Sequence, residues 1–233
     1  MSGDPVLVAC AHGTRSPAGR RAVAELALAA GALRPGLETV AAFVDVQPPS
    51  IADVVAELTA RGRSAVVVPI LLSGGYHVHV DIARAVQDSP GVRAARPLGP
   101  DPVLAGVLAD RLRASGVDLG DPTVAVVLAA VGSRDPRSLA DVERVAGWLR
   151  DATVCPVTVG FGSTARPTVP EAVAAARERG ARRVVVAGYL LAPGHFAGSL
   201  ADSGGDAVTA PLLPDPRIAA VLLDRYDGAS RSS

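Results

Sequence analysis

Lysine is absent from this 233-residue chain. All 23 basic residues are arginine, they face 23 acidic residues, and the formal net charge is +0. Without a lysine there is no Schiff-base or amine nucleophile. Without a basic surplus there is no electrostatic footprint of a nucleic-acid binder. Aromatic residues are nearly missing too, at 3%, so a core can only be aliphatic, and 49% hydrophobic residues suffice to build one. The two cysteines, Cys10 and Cys155, lie in apolar stretches and form no CxxC pair. No zinc knuckle or redox motif is suggested, and both are expected to be reduced, buried thiols. No apolar run reaches the ~18 residues of a membrane span, and Met1 to Pro5 lacks the pattern of a signal peptide. A cytoplasmic protein that binds neither membrane nor nucleic acid is expected.

What is present is a pattern written twice. Apolar runs of strand length alternate with alanine-rich segments of helical period, as in a parallel sheet with crossover helices. In the first half strands are expected near 5–11, 38–44, 64–72 and 92–96, with helices near 17–33, 49–61, 78–88 and 101–115. The second half repeats this with strands near 123–131, 154–160, 182–190 and 206–209, and helices near 137–150, 168–179, 196–203 and 215–226. Residues recur with the pattern. His12-Gly13-Thr14-Arg15-Ser16-Pro17 is answered by Val131-Gly132-Ser133-Arg134-Asp135-Pro136, and Gly75-Tyr76-His77 by Pro193-Gly194-His195. The fold class expected is α/β, with two tandem similar domains, each a parallel four-stranded sheet with helices on both faces. The seam falls at Asp118-Leu119-Gly120-Asp121-Pro122, giving domains 1–117 and 118–233. One residue sits awkwardly: Pro69, in the run Val66 to Leu72, cannot donate to a ladder.

Ligands of open parallel sheets lie beyond the carboxyl ends of the strands. In the first half those ends carry His12, then Asp45 to Gln47, then Ser73 to His77. Two of only four histidines thus belong to one rim. Neutral imidazoles suit Fe²⁺, Co²⁺ and Ni²⁺ alike. Two of them hold a metal without enclosing it.

With both loops in hand, the sequence resembles the sirohydrochlorin chelatase family, in its long, two-domain form. The resemblance rests on His12-Gly13-Thr14-Arg15 after the first strand and on Gly75, His77, Asp81 and Ile82 after the third. It implies insertion of a divalent metal, Fe²⁺, Co²⁺ or Ni²⁺, into sirohydrochlorin on the way to sirohaem or cobalamin. The metal is a substrate, and no organic cofactor is needed. By the same resemblance His12 and His77 are the metal-binding and catalytic residues. The substrate carries many carboxylates, so Arg15 and Arg134 are candidate anchors, with Ser73, Gly74 and Gly75 lining the substrate site. Short family members pair as homodimers, so a tandem chain is expected to be a monomer. The second half departs from the family pattern. Val131 replaces the first histidine and no Asp-Ile follows His195, so one complete histidine pair remains and the second site is degenerate.

Other readings compete. A phosphoryl hydrolase with His12 as nucleophile would need an arginine directly before that histidine, where Ala11 stands. A carrier that binds metal or tetrapyrrole without catalysis would use the same residues. Gly160-Phe161-Gly162-Ser163-Thr164 lacks the Gly-Lys-Ser/Thr ending of a phosphate loop. His79 falls outside the family motif and is expected at the surface. Asp81 is expected as a first-turn acid of its helix, and His195 as a remnant of duplication.

Overall fold

The computed structural model describes residues 4–74 and 76–231, and for residues 76–80 the backbone alone. The elements follow the expected alternation. The first four strands are β1 (Val6–Ala11), β2 (Thr39–Phe43), β3 (Ala65–Pro69) and β4 (Val92–Ala94), interleaved with helices α1 (Pro17–Leu33), α2 (Ile51–Ala60), α3 (Tyr76–Gln87) and α4 (Pro102–Ala114). The next four are β5 (Val124–Ala130), β6 (Val157–Phe161), β7 (Arg183–Gly188) and β8 (Ala207–Val208), with α5 (Pro136–Asp151), α6 (Val169–Glu178), the short α7 (His195–Ser199) and α8 (Pro216–Arg231). They make two parallel sheets, ordered β2-β1-β3-β4 and β6-β5-β7-β8. The α/β class and the four-stranded parallel sheets are those the sequence leads one to expect.

Strand composition follows position. β1 and β5 lie inside their sheets with helices on both faces, and every residue of each is buried. Neither alternates polar with apolar, because neither has a wet face. Helix starts are set by side chains that accept an otherwise orphaned N–H: Ser16 from Gly19, Ser50 from Asp53, and Thr168 in a reciprocal capping box with Glu171.

Pro69 finds its explanation here. It is the last residue of β3, and its carbonyl accepts from Leu98 N at 3.2 Å on the β4 side. Its nitrogen faces the same side, beyond the end of β4 at Ala94, so no ladder bond is lost there. The strand stops at Pro69, three residues short of the expected end.

The chain forms two compact units, and they are not the two sequence halves. One comprises Met1–Leu98 with Pro214–Ser233, the other Gly99–Leu213. The first unit holds α8, and the second holds α4. In the first, α2 and α3 pack on the face made by Val6, Val8, Cys10, Val40, Ala42, Ala65 and Val67, and α8 packs on α1 and β3. In the second, α6 and α7 pack on the face made by Ala125, Val127, Ala129, Val184 and Val186, while α4 packs on α5 and β7.

Two arginines show why each last helix belongs where it does. Arg225 on α8 is 2% exposed and donates to Pro97 O at 2.9 Å and Leu98 O at 2.8 Å. Arg111 on α4 donates to Pro211 O at 3.1 Å and Leu212 O at 3.0 Å. Both pairs satisfy the same repeat, 114 positions apart. In the first unit α8 is also tied by Tyr226, whose hydroxyl donates to Pro5 O at 2.7 Å. A two-pronged ion pair of Arg34 with Asp227, at 2.6 and 2.7 Å, completes the docking. The Arg34 guanidinium holds the Asp227 carboxyl below the usual carboxylate range.

Candidate functional site

In the first unit the ladder between β1 and β2 continues past both strands. Val44 N donates to Ala11 O at 3.0 Å and Asp45 N to His12 O at 2.9 Å. His12 therefore stands at the end of a rigid strand with its side chain exposed. Alternation along β1 puts residue 12 on the side of Val6, Val8 and Cys10, the face covered by α2 and α3. The loop leaving β3 runs straight into α3, whose first turn contains position 77. Fold topology thus brings His12 and the start of α3 to one face and one edge of the same sheet. The side chains of His77 and His79 lie outside the described residues, as does Gly75 entirely.

Gly13 is what lets the chain turn here. Its φ is +102°, and a Cβ would lie 2.1 Å from the carbonyl oxygen of Asp45. Gly132 repeats this in the second unit, with φ +92° and Ser163 O at 2.3 Å. The shared glycine of the two motifs is thus a packing requirement of both rims.

The two hydroxyls that follow His12 are committed to the loop. Thr14 Oγ1 accepts from Ser16 N at 3.1 Å, and Ser16 Oγ caps α1. Gln47, in the loop that follows β2, braces this loop, its Oε1 accepting from Thr14 N at 3.1 Å. The sequence places Gln47 on this rim but does not show its bracing role, since nothing local marks a side chain that holds a backbone 33 residues away. Beside it Val46 adopts φ +71°, a strained conformation for a branched residue, and its N–H is held by Asp45 Oδ1 at 2.7 Å.

Arg15 is exposed and makes no hydrogen bond or ion pair among the described residues. Ser73 and Gly74 are half-buried in the loop after β3, on the same rim. Arg134 is likewise exposed, but it belongs to the second unit. Asp81 requires a correction: α3 begins at Tyr76, so Asp81 is its sixth residue, and the helix has no acid in its first turn. Burial pushes the Cys10 thiol up to about 12, which makes it a protonated filler beneath the rim. Among the described residues no group of three or more His, Cys, Asp or Glu side chains forms a metal cluster. No described helix is long and apolar enough to cross a membrane.

The sequence model of the CbiX family matches residues 6–115 and 125–229, once over each half. The chain belongs to the CbiX family. A relative from Priestia megaterium described as sirohydrochlorin cobaltochelatase is 26% identical over 162 residues, 65% of this chain and 53% of that protein. This chain thus spans about half that relative's length. A second protein of the same description, from Methanothermobacter thermautotrophicus, is 29% identical over 136 residues and is 94% covered by only 46% of this chain. Nearly all of that relative thus aligns with less than half of this chain. SirB from Bacillus subtilis, solved with Fe³⁺, has the same fold, with a TM-score of 0.83 at 20% identity over 98% of this chain and 96% of that one.

Proposed function

We propose that this CbiX-family protein inserts a divalent metal, Co²⁺ or Fe²⁺, into sirohydrochlorin, and that the site is the carboxyl rim of the first unit. The observation that carries this is the placement of His12 at the end of β1, on the sheet face and edge where α3 begins, position 77 falling in the first turn of that helix. The cobaltochelatase relatives and the iron-bound SirB support it. Metal insertion forms bonds from the metal to the ring nitrogens and releases the pyrrole protons. A site for it must hold a metal loosely, take up protons and orient a polycarboxylate. His12 and His77 hold the metal, and a neutral imidazole nitrogen accepts a proton as the metal passes to the ring. The rigid strand end, Gly13 and the Gln47 brace fix His12 in place, and Arg15 is free to engage a carboxylate. Ser73 and Gly74, on the same rim, line the ring's approach. The chain acts as a monomer, and sedimentation showing a dimer that resists dilution would overturn that.

The test is spectral. Sirohydrochlorin mixed with the protein and Co²⁺ or Fe²⁺ should change its visible absorption far faster than without protein. Changing His12 or His77 to Ala should slow insertion about a hundredfold or more in protein that stays folded by circular dichroism. Near-normal insertion by either variant would sink the assignment. Competition between Co²⁺, Fe²⁺ and Ni²⁺ ranks the metals.

A further inference from the structure

The second rim has kept part of this equipment and rebuilt the rest. Val131 stands where His12 does, at the end of β5, and is 37% exposed. Its carbonyl accepts from Ser163 N at 2.8 Å, as that of His12 does from Asp45 N. Arg134 retains the place of Arg15, exposed and without a hydrogen bond or ion pair among the described residues. His195 retains the place of His77. Its ring is exposed, makes no hydrogen bond among the described residues, and meets the ring of Phe196 edge-on at 5.7 Å.

A rim in decay would lose side chains one at a time. This one shows a compensated exchange. At the repeat spacing of 118, Val44 becomes Gly162 and Val78 becomes Phe196. Gly162 makes room for the new ring: a Cβ there would lie 3.1 Å from Phe196 Cδ1. Phe196 in turn packs on the apolar core beneath it and gives His195 an aromatic support. Gly162 N also donates to Ala130 O at 2.8 Å, so Val131, Gly162, Phe196 and His195 form one continuous rim.

The chemistry of this set differs from that of the first rim. One imidazole is a poor trap for a hydrated metal ion. It is a sufficient axial ligand for a metal already held in the plane of a tetrapyrrole. An exposed valine and the edge of a phenylalanine offer apolar contact to a flat ring, and a free arginine offers a fork to a carboxylate. We infer that the carboxyl rim of the second unit binds a planar, carboxylate-bearing macrocycle whose metal is already in place, with His195 as its axial ligand. The site is one for the product class of the proposed reaction, and in that respect it rests on the chelatase reading.

The chain has four histidines, so the full-length, untagged protein with His12, His77 and His79 changed to Ala keeps His195 as its single imidazole. Cobalt(II)-sirohydrochlorin added to it should show axial-nitrogen splitting in the electron paramagnetic resonance spectrum. Adding His195→Gly should abolish the splitting and weaken binding about tenfold or more, and free imidazole should restore it. Gln replacements at the same three positions serve if the Ala set does not fold. A folded variant without the splitting, or splitting that survives His195→Gly, would overturn the inference. Insertion by the native chain is measured alongside. Insertion without the His195 signal leaves the chelatase reading and removes this site, whereas the signal without insertion leaves this site and removes that reading.

Discussion

At the scale of single residues, the motif His12-Gly13-Thr14-Arg15 divides into parts with different duties. Gly13 and Thr14 shape the loop, and their counterparts Gly132 and Ser133 do the same in the second unit. His12 and Arg15 point their chemistry outward. Gly13→Ala should therefore be costly. The new Cβ would overlap the Asp45 carbonyl at 2.1 Å and force a strained φ, so a loss of about 1–3 kcal/mol is expected in urea unfolding. Displacement of His12 should also weaken Co²⁺ binding, read by calorimetry. A Gly13→Ala protein as stable as the native one would mean that the loop moves aside freely. The histidine and the glycine were legible in the sequence, because a polar residue after a buried run is conspicuous. The roles of Gln47 and the Asp45 carbonyl were not, since what they hold is backbone, and backbone carries no sequence signal.

At the scale of elements, strand and helix order was legible almost throughout, because covered parallel strands and amphipathic helices differ in period. Two boundaries differ from the expected ones. β3 stops at Pro69, and α3 starts at Tyr76, which removes Asp81 from the first turn. The attachments of α4 and α8 were also beyond reach. Arg111 and Arg225 look like ordinary helical arginines, and their carbonyl partners lie 100 or more residues away. Replacing Arg225 by Met keeps apolar bulk but leaves the carbonyls of Pro97 and Leu98 without these donors in a buried setting. A loss of about 2–4 kcal/mol is expected. Arg111→Met, which strips the carbonyls of Pro211 and Leu212, should act in the same direction. Denaturation midpoints within about 0.5 kcal/mol of native for both variants would show that the arginines only fill space.

At the scale of the whole chain, a repeat of two halves and a division into two compact units are different statements. Read from sequence, α4 closes the first half and α8 the second, since each follows the fourth strand of its half. In the fold the helices have changed places, and the repeat itself permits it. Leu104, Val107, Leu108 and Leu112 of α4 correspond at the 114 spacing to Ile218, Val221, Leu222 and Tyr226 of α8, and all are buried. Because the two helices carry matching apolar faces, nothing in the pattern says which sheet each will cover. The exchange has a consequence for cutting the chain at residue 117. The piece 1–117 would lack α8, leaving the apolar surfaces of α1 and β3 uncovered, and the piece 118–233 would lack α4 over α5 and β7. Neither should be a well-behaved monomer when made alone. Made together, each would supply the helix the other lacks, and the two should purify as a one-to-one complex by light scattering. Adding Arg225→Met and Arg111→Met to the pieces should weaken that complex, since both latches run between them. Two pieces that fold separately, stay monomeric and ignore each other would show that each last helix can return to its own half, and that the latches do not dictate where it packs.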